Sequence, residues 1–302
     1  MSREQRAAVD AMLREGPGGF EPLPVEEMRE NFAALMARFA VPAVRTSETV
    51  LAGRPAVLVE PEPDAGVARA GGTILYFHGG SFCLGSPRTA MGLTASLVVR
   101  TGMRALSLDY RLAPEHPFPA AVEDCLAAYR ALLDEGTDPR TIAFAGDSAG
   151  GGLTVTTTLA ARRAGLPLPG AVLGFSPGLD HTRSGATVTT KLGVDPFFTP
   201  EGMAHTGAFY LAGQDPHQEL LAPAVLADLT GFPPLLLQVG TNEVLLDDSV
   251  RLAARARDAE VDVILDVTAG VPHVFQSFTG LLDEADQALD RAALFLTQHL
   301  AG

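Results

Sequence analysis

Apolar residues recur along this chain with two periods, and the switches between them mark its elements. Before residue 42, Met28, Phe32, Leu35, Met36 and Phe39 fall at helical spacing, which predicts an amphipathic helical segment closed by Pro42. Two β-rich runs follow, 44–51 and 56–60, and the Ala52-Gly53 step between them predicts an antiparallel hairpin. From residue 73 short β-branched runs alternate with helical stretches. Strands are expected at 73–77, 105–108, 142–145, 171–175, 235–239 and 261–267, and helices at 89–100, 120–135, 150–164 and 247–259. Such alternation predicts a mostly parallel sheet with helices on both faces. One segment breaks the rhythm: 179–221 is rich in Gly, Pro and Phe and lies between two strands. An insertion of that length in a compact domain is expected to be functional, here as part of a cap. The chain therefore divides into a helical cap segment over 1–42 and an α/β domain over 43–302 that carries the cap insertion at about 179–221.

The sharpest change of pattern lies at 141–152. An apolar run, Thr-Ile-Ala-Phe-Ala, breaks into Gly146-Asp147-Ser148-Ala149-Gly150 and continues as a helix-like run. Strand, tight turn and helix with serine at the apex is the context of a nucleophile elbow. Glycines two residues before and after the serine relieve the crowding of such a turn. The geometry exposes the Ser148 hydroxyl and brings the Ala149 N–H to the same space. G-x-S-x-G also arises by chance in glycine-rich loops, but here the flanking elements agree with it.

A serine nucleophile needs a base, an acid that orients the base, and donors for an oxyanion. His273, in Val-Pro-His-Val-Phe after the last strand, sits at the carboxyl end of the expected sheet and is the candidate base. His299 falls in the C-terminal helix, and His116 in a Pro-Glu-His-Pro turn. His181, His205 and His217 lie in the insertion, where surface positions are the default and a pocket lining is the alternative. The acid should follow the strand at 235–239. Glu243 stands three residues after Gly240 and is the first choice, with Asp247 the runner-up. Asp247 and Asp248 also suit the first turn of the next helix, where carboxylates stabilise its positive end. For the oxyanion, Gly79 and Gly80 after the first core strand resemble the HGGG-type loop, and their N–H groups with that of Ala149 are the expected donors. His78 is expected to anchor that loop.

Composition narrows the partners. The 302 residues carry 22 basic and 36 acidic side chains, a net charge of −14, which excludes a phosphate-binding surface for nucleic acid. Lys191 is the only lysine, so no G-K-[ST] phosphate loop exists. The first residues are charged throughout, and no apolar stretch reaches membrane-spanning length, so a cytoplasmic protein without a leader is expected. Cys83 and Cys125 match no zinc spacing and are expected as buried reduced thiols.

Taken together, the chain resembles the hormone-sensitive-lipase-like family of α/β-hydrolases. The matching stretches are His78-Gly79-Gly80, the run from Asp109 to Ala120, Gly146 to Gly151, Asp195-Pro196, Gly240 to Asp248, and His273-Val274-Phe275. They cover the chain from about residue 73 onward. The resemblance implies an α/β-hydrolase fold, a Ser-acid-His triad, and hydrolysis of small esters with short to medium acyl groups. It also implies a helical cap, no cofactor or metal, and a homodimer. Two departures stand out. Ser81 occupies the place of a third glycine, and Glu243 stands where many members carry aspartate.

Substrate is less legible. Ser81, Phe82, Phe197 and Phe198 are the expected substrate-binding residues, with Phe209 and Phe275 adding to an apolar site. Lactones and acetylated metabolites suit the same machinery. Two other classes fit the scaffold. A ligand-binding protein would resemble the gibberellin receptors, which lack the histidine that this chain keeps. A cyclase or amide hydrolase would use the same pocket without ester turnover.

Overall fold

The computed structural model describes residues 3–15, 23–63 and 70–300. Of the helical segment expected over 1–42, residues 1, 2 and 16–22 lie outside that description. The remainder holds α1 (Arg3–Arg14) and α2 (Val25–Met36). The hairpin is β1 (Val44–Leu51) and β2 (Arg54–Pro61), and Leu51 pairs with Arg54 across a turn in which Ala52 and Gly53 both have positive φ. That pairing is a two-residue primed turn, the connection that matches strand twist.

From there strands and helices alternate. In chain order they are β3 (Thr73–Phe77), α3 (Met91–Thr101), β4 (Arg104–Leu108), α4 (Ala120–Asp134), β5 (Ile142–Asp147) and α5 (Ala149–Arg163). Next come β6 (Ala171–Phe175), α6 (Thr187–Thr190), α7 (Pro200–Leu211) and α8 (Pro223–Leu226). The chain then forms β7 (Leu235–Gly240), α9 (Leu246–Asp258), β8 (Val263–Thr268) and α10 (Asp283–Leu300). Among the described residues eight strands form one sheet in the order β1-β2-β4-β3-β5-β6-β7-β8. The two β2 interfaces are antiparallel and the rest parallel.

The central strands are buried on both faces, and this explains their uninterrupted apolar sequences. On β3, Leu75 and Phe77 face a core built with Tyr129 of α4 and Leu153 of α5, while Ile74 and Tyr76 face Leu97 of α3 and Leu296 of α10. At the edge, β8 is only half-buried and exposes Ile264 and Val267. The segment between β6 and β7 leaves the sheet and carries α6 to α8, of which α7 lies beside Ser148 while α8 packs with α9. Helix α2 is fastened nearby through Arg29, which donates to Cys83 O at 2.9 Å and Ala113 O at 3.1 Å and pairs with Glu115 at 2.7 Å. Cys83 and Cys125 are both free and buried. No described helix is long and apolar enough to cross a membrane.

Candidate active site

Ser148 stands at the turn between β5 and α5. Its backbone is left-handed, φ 52° and ψ −117°, a conformation that a non-glycine residue keeps only when its surroundings enforce it. The Ser148 N–H donates to Phe175 O at 2.8 Å, and its carbonyl accepts the Gly152 and Gly178 N–H groups at 3.0 Å. The flanking glycines leave no room for a side chain. A Cβ on Gly150 would lie 2.0 Å from Phe77 O, and one on Gly146 would lie 2.5 Å from Gly150 O.

His273 lies in the loop between β8 and α10, and Glu243 in the loop between β7 and α9. His273 Nδ1 is 2.8 Å from Glu243 Oε2. The other carboxylate oxygen accepts the Ser176 hydroxyl at 2.8 Å and the Gly240 N–H at 2.5 Å. Ser176 in turn accepts the Val274 N–H at 3.0 Å. Complete burial raises the Glu243 pKa, and the hydrogen bond and charge of His273 oppose that rise. Asp247 is turned elsewhere: its carboxylate accepts the Thr187 N–H at 3.0 Å, and its own N–H donates to Thr187 Oγ1 at 3.0 Å.

The loop after β3 wraps over Asp147. The Tyr76 hydroxyl donates to Asp147 Oδ1 at 2.9 Å, and burial lifts the pKa of this carboxylate to about 6. Gly79 packs directly against this carboxylate, where an added Cβ would lie 2.2 Å from Asp147 Oδ2. The Gly80 and Ser81 N–H groups enter no hydrogen bond among the described residues. His78 fixes the loop from beneath. Its ring stacks on Tyr110 at 4.1 Å and contacts Gly79 O through Nδ1 at 2.8 Å. Burial lowers its pKa to about 4, which keeps it neutral.

Two cavities meet at Ser148. The larger, about 90 Å³, is lined by Ser81, Phe82, Ala149, His181, Arg183, Phe198 and Tyr210, among others. The smaller, about 50 Å³, is lined by His273, Gly80 and Phe197 together with Phe32, Leu35, Met36 and Phe39. That last set is the stripe whose spacing predicts helix, so the apolar face of this segment fronts a cavity. Phe198 and Phe197 are split between the two spaces, with ring centroids 4.8 and 6.1 Å from His273. Asp195 holds them there. It accepts the N–H groups of Phe197, Phe198 and Val244 at 2.8, 3.3 and 2.9 Å, joining the insertion to the loop that bears Glu243.

A sequence profile for the α/β-hydrolase fold matches residues 74–277. An acetyl-hydrolase of Streptomyces hygroscopicus is 43% identical over 226 residues, 75% of each chain. The crystal structure of an esterase from the bacterial hormone-sensitive lipase family superposes with a TM-score of 0.92 at 39% identity, over 99% of both chains. The chain belongs to the hormone-sensitive-lipase-like family of carboxylic ester hydrolases. EstE5, in crystals soaked with ethyl alcohol, matches this hydrolase over the whole of both chains with a TM-score of 0.93 at 37% identity.

Several neighbours of the site in this hydrolase escape sequence reasoning. Tyr210 of α7 stacks on Phe82 at 3.8 Å and lines the larger cavity. His181 takes the pocket-lining alternative that its sequence reading left open; its ring packs by Phe82 and Tyr210 at 5.4 and 5.2 Å. Phe209 and Phe275 line neither cavity. Phe209 packs at the rim of the core around Phe77, and Phe275 packs with Val271 and Phe278. Ser176 carries no sequence signal beyond its place one residue after a buried strand. Asp195 does carry one, since Asp-Pro-Phe-Phe sets a turn-forming carboxylate just ahead of two amides.

Proposed function

We propose that this hydrolase cleaves carboxylic esters with short to medium acyl groups through an acyl-enzyme on Ser148. The observation that carries the reading is the 2.8 Å contact between His273 Nδ1 and Glu243 Oε2, beside a cavity that Ser148 also lines. A carboxylate at Nδ1 fixes the proton there and leaves Nε2 as the basic nitrogen. His273 takes the Ser148 proton as Oγ attacks the carbonyl carbon. The carbonyl oxygen becomes an oxyanion, received by the N–H groups of Gly80, Ser81 and Ala149, each worth about 3 kcal/mol of barrier. When the tetrahedral species collapses, the bond to the alcohol oxygen breaks and His273 returns the proton to it. Water then attacks the acyl-enzyme, with His273 again taking and returning a proton, and carboxylic acid and free serine result.

The leaving oxygen must lie within reach of His273. The alcohol therefore takes the smaller cavity, which His273 lines, and the acyl group takes the larger one. The segment before β1 and the 179–221 insertion act as a two-part cap, since α2 walls one cavity and α7 the other. The acetyl-hydrolase name of one relative supports a small acyl group. The test is turnover of p-nitrophenyl esters from acetate to decanoate by the purified protein. Activity should peak among the shorter chains, and Ser148→Ala should lower kcat by about 10⁴-fold or more. Retained turnover in that variant would overturn the mechanism.

A further inference from the structure

The larger cavity is apolar beside Ser148 and charged at the 180–184 turn. Asp180 accepts the Thr182 N–H at 2.8 Å and the Ser184 N–H at 3.0 Å, and the turn they form presents Arg183, φ 55°, to the cavity. Two carboxylates line the same space, and both are committed. Arg251 bonds Asp180 at 2.9 Å and Asp248 at 3.1 Å. Asp180 also accepts the Ser184 hydroxyl at 2.7 Å, and Asp248 the Leu179 N–H at 2.8 Å.

Arg183 differs from Arg251. Among the described residues its hydrogen bond goes to the Met203 carbonyl, and it forms no ion pair. A guanidinium has five N–H donors in a planar fork that matches a carboxylate, so most of them stay available. Burial lowers its pKa, and the charge of Asp248 only partly offsets this. His181 lies two residues away on the same wall. Burial lowers its pKa to about 4, so the ring is neutral at pH 7 and can offer one N–H. A half-buried cation among Phe82, Phe198, Met203 and Tyr210, with only a neutral acceptor, is incompletely compensated, and an anion arriving there would complete it.

We propose that Arg183, with His181 beside it, forms an anion subsite in the acyl cavity, and that the preferred substrates are half-esters of short dicarboxylic acids. The free carboxylate meets the Arg183 fork while Ser148 attacks the ester carbonyl. The proposal rests on the ester-hydrolase reading and on the acyl group occupying the larger cavity. An aliphatic acyl chain would fill the same space and leave the guanidinium uncompensated.

Monoethyl glutarate and its uncharged isostere, ethyl 5-methylhexanoate, separate the two cases, with ethanol release followed for wild type, Arg183→Gln and Arg183→Lys. The wild type should prefer the charged ester in kcat/KM. The charged-to-neutral ratio should fall by about tenfold or more in Arg183→Gln, the scale of a hydrogen bond to a charged group, and recover in part in Arg183→Lys. A ratio that Arg183→Gln leaves unchanged, with both esters losing equally, overturns the subsite. A wild type that hydrolyses the neutral ester and rejects the charged one overturns it too, and leaves the ester-hydrolase reading standing. Turnover of neither ester overturns both.

Discussion

The Ser176 hydroxyl donates to Glu243 at 2.8 Å and accepts the Val274 N–H at 3.0 Å. One small side chain after β6 thus joins the loop that carries Glu243 to the loop that carries His273. Ser176→Ala breaks both bonds and leaves Glu243 with His273 and Gly240. The expected result is a fall in kcat of about tenfold, the scale of one hydrogen bond to a charged group, with a much smaller change in KM. Steady-state kinetics on p-nitrophenyl acetate check it, and an unchanged kcat would make the bridge dispensable.

The two acids on either side of Leu245 should behave very differently. Glu243→Gln keeps the shape of the contact with His273 and removes its charge, so kcat/KM should fall about 10³-fold or more. Asp247→Asn disturbs the contacts with Thr187 and should cost under about tenfold. The larger loss from the aspartate change would reverse the assignment.

Asp195 offers a test of the tie between insertion and catalytic loop. Asp195→Ala strands three backbone N–H groups, at Phe197, Phe198 and Val244. With about 1 kcal/mol for each, unfolding free energy should drop by about 3 kcal/mol. Urea unfolding measures the loss, and a stability within error of wild type would show that the insertion holds its place without this residue.

Asp248 predicts a pH effect on stability. Burial, with the charge of Asp180, raises its carboxyl from 3.8 to about 7. The folded state binds this proton more tightly than the unfolded chain. The stabilisation is therefore fully present below the unfolded pKa and is lost as pH rises through about 7. Asp248→Asn is neutral at every pH, so its melting temperature should fall less than that of wild type between about pH 5 and about pH 8. Asp147, lifted to about 6, titrates in both proteins and cancels in the comparison. Equal falls in the two proteins would mean that Asp248 does not titrate in that range.

The central sheet is legible because its strands are buried on both faces, which demands continuous apolar, β-branched runs such as Thr73–Phe77 and Ala171–Phe175. Ends are less so. The strand expected from residue 261 starts at Val263, because the Val261 N–H bonds back to Ala256 O and finishes α9. Ser148, Glu243 and His273 could be nominated from their order after successive strands. Ser176 could not, since its partner Glu243 is 67 residues away and nothing local encodes the contact. Spacing also cannot tell which of two adjacent N–H groups faces a cavity. Gly79 and Gly80 are alike in sequence, yet Gly80 lines a cavity that Ser148 also lines and Gly79 lines neither.

The stripe of Phe32, Leu35, Met36 and Phe39 walls the smaller cavity from a helical segment that belongs to no strand crossover. Its ties to the rest are Arg29, the burial of Val25 and Met28 in the main core, and the Phe39 ring set edge-on against Phe278 at 5.0 Å. Under the proposed reaction, the wall that meets the alcohol and the loops that carry Ser148, Glu243 and His273 come from separate parts of the chain. On that reading, a different amphipathic helix that keeps these contacts would reshape which alcohols depart while Ser148, Glu243 and His273 stay on their own loops. The fold in effect offers a replaceable cassette, a starting point for divergence or for engineering.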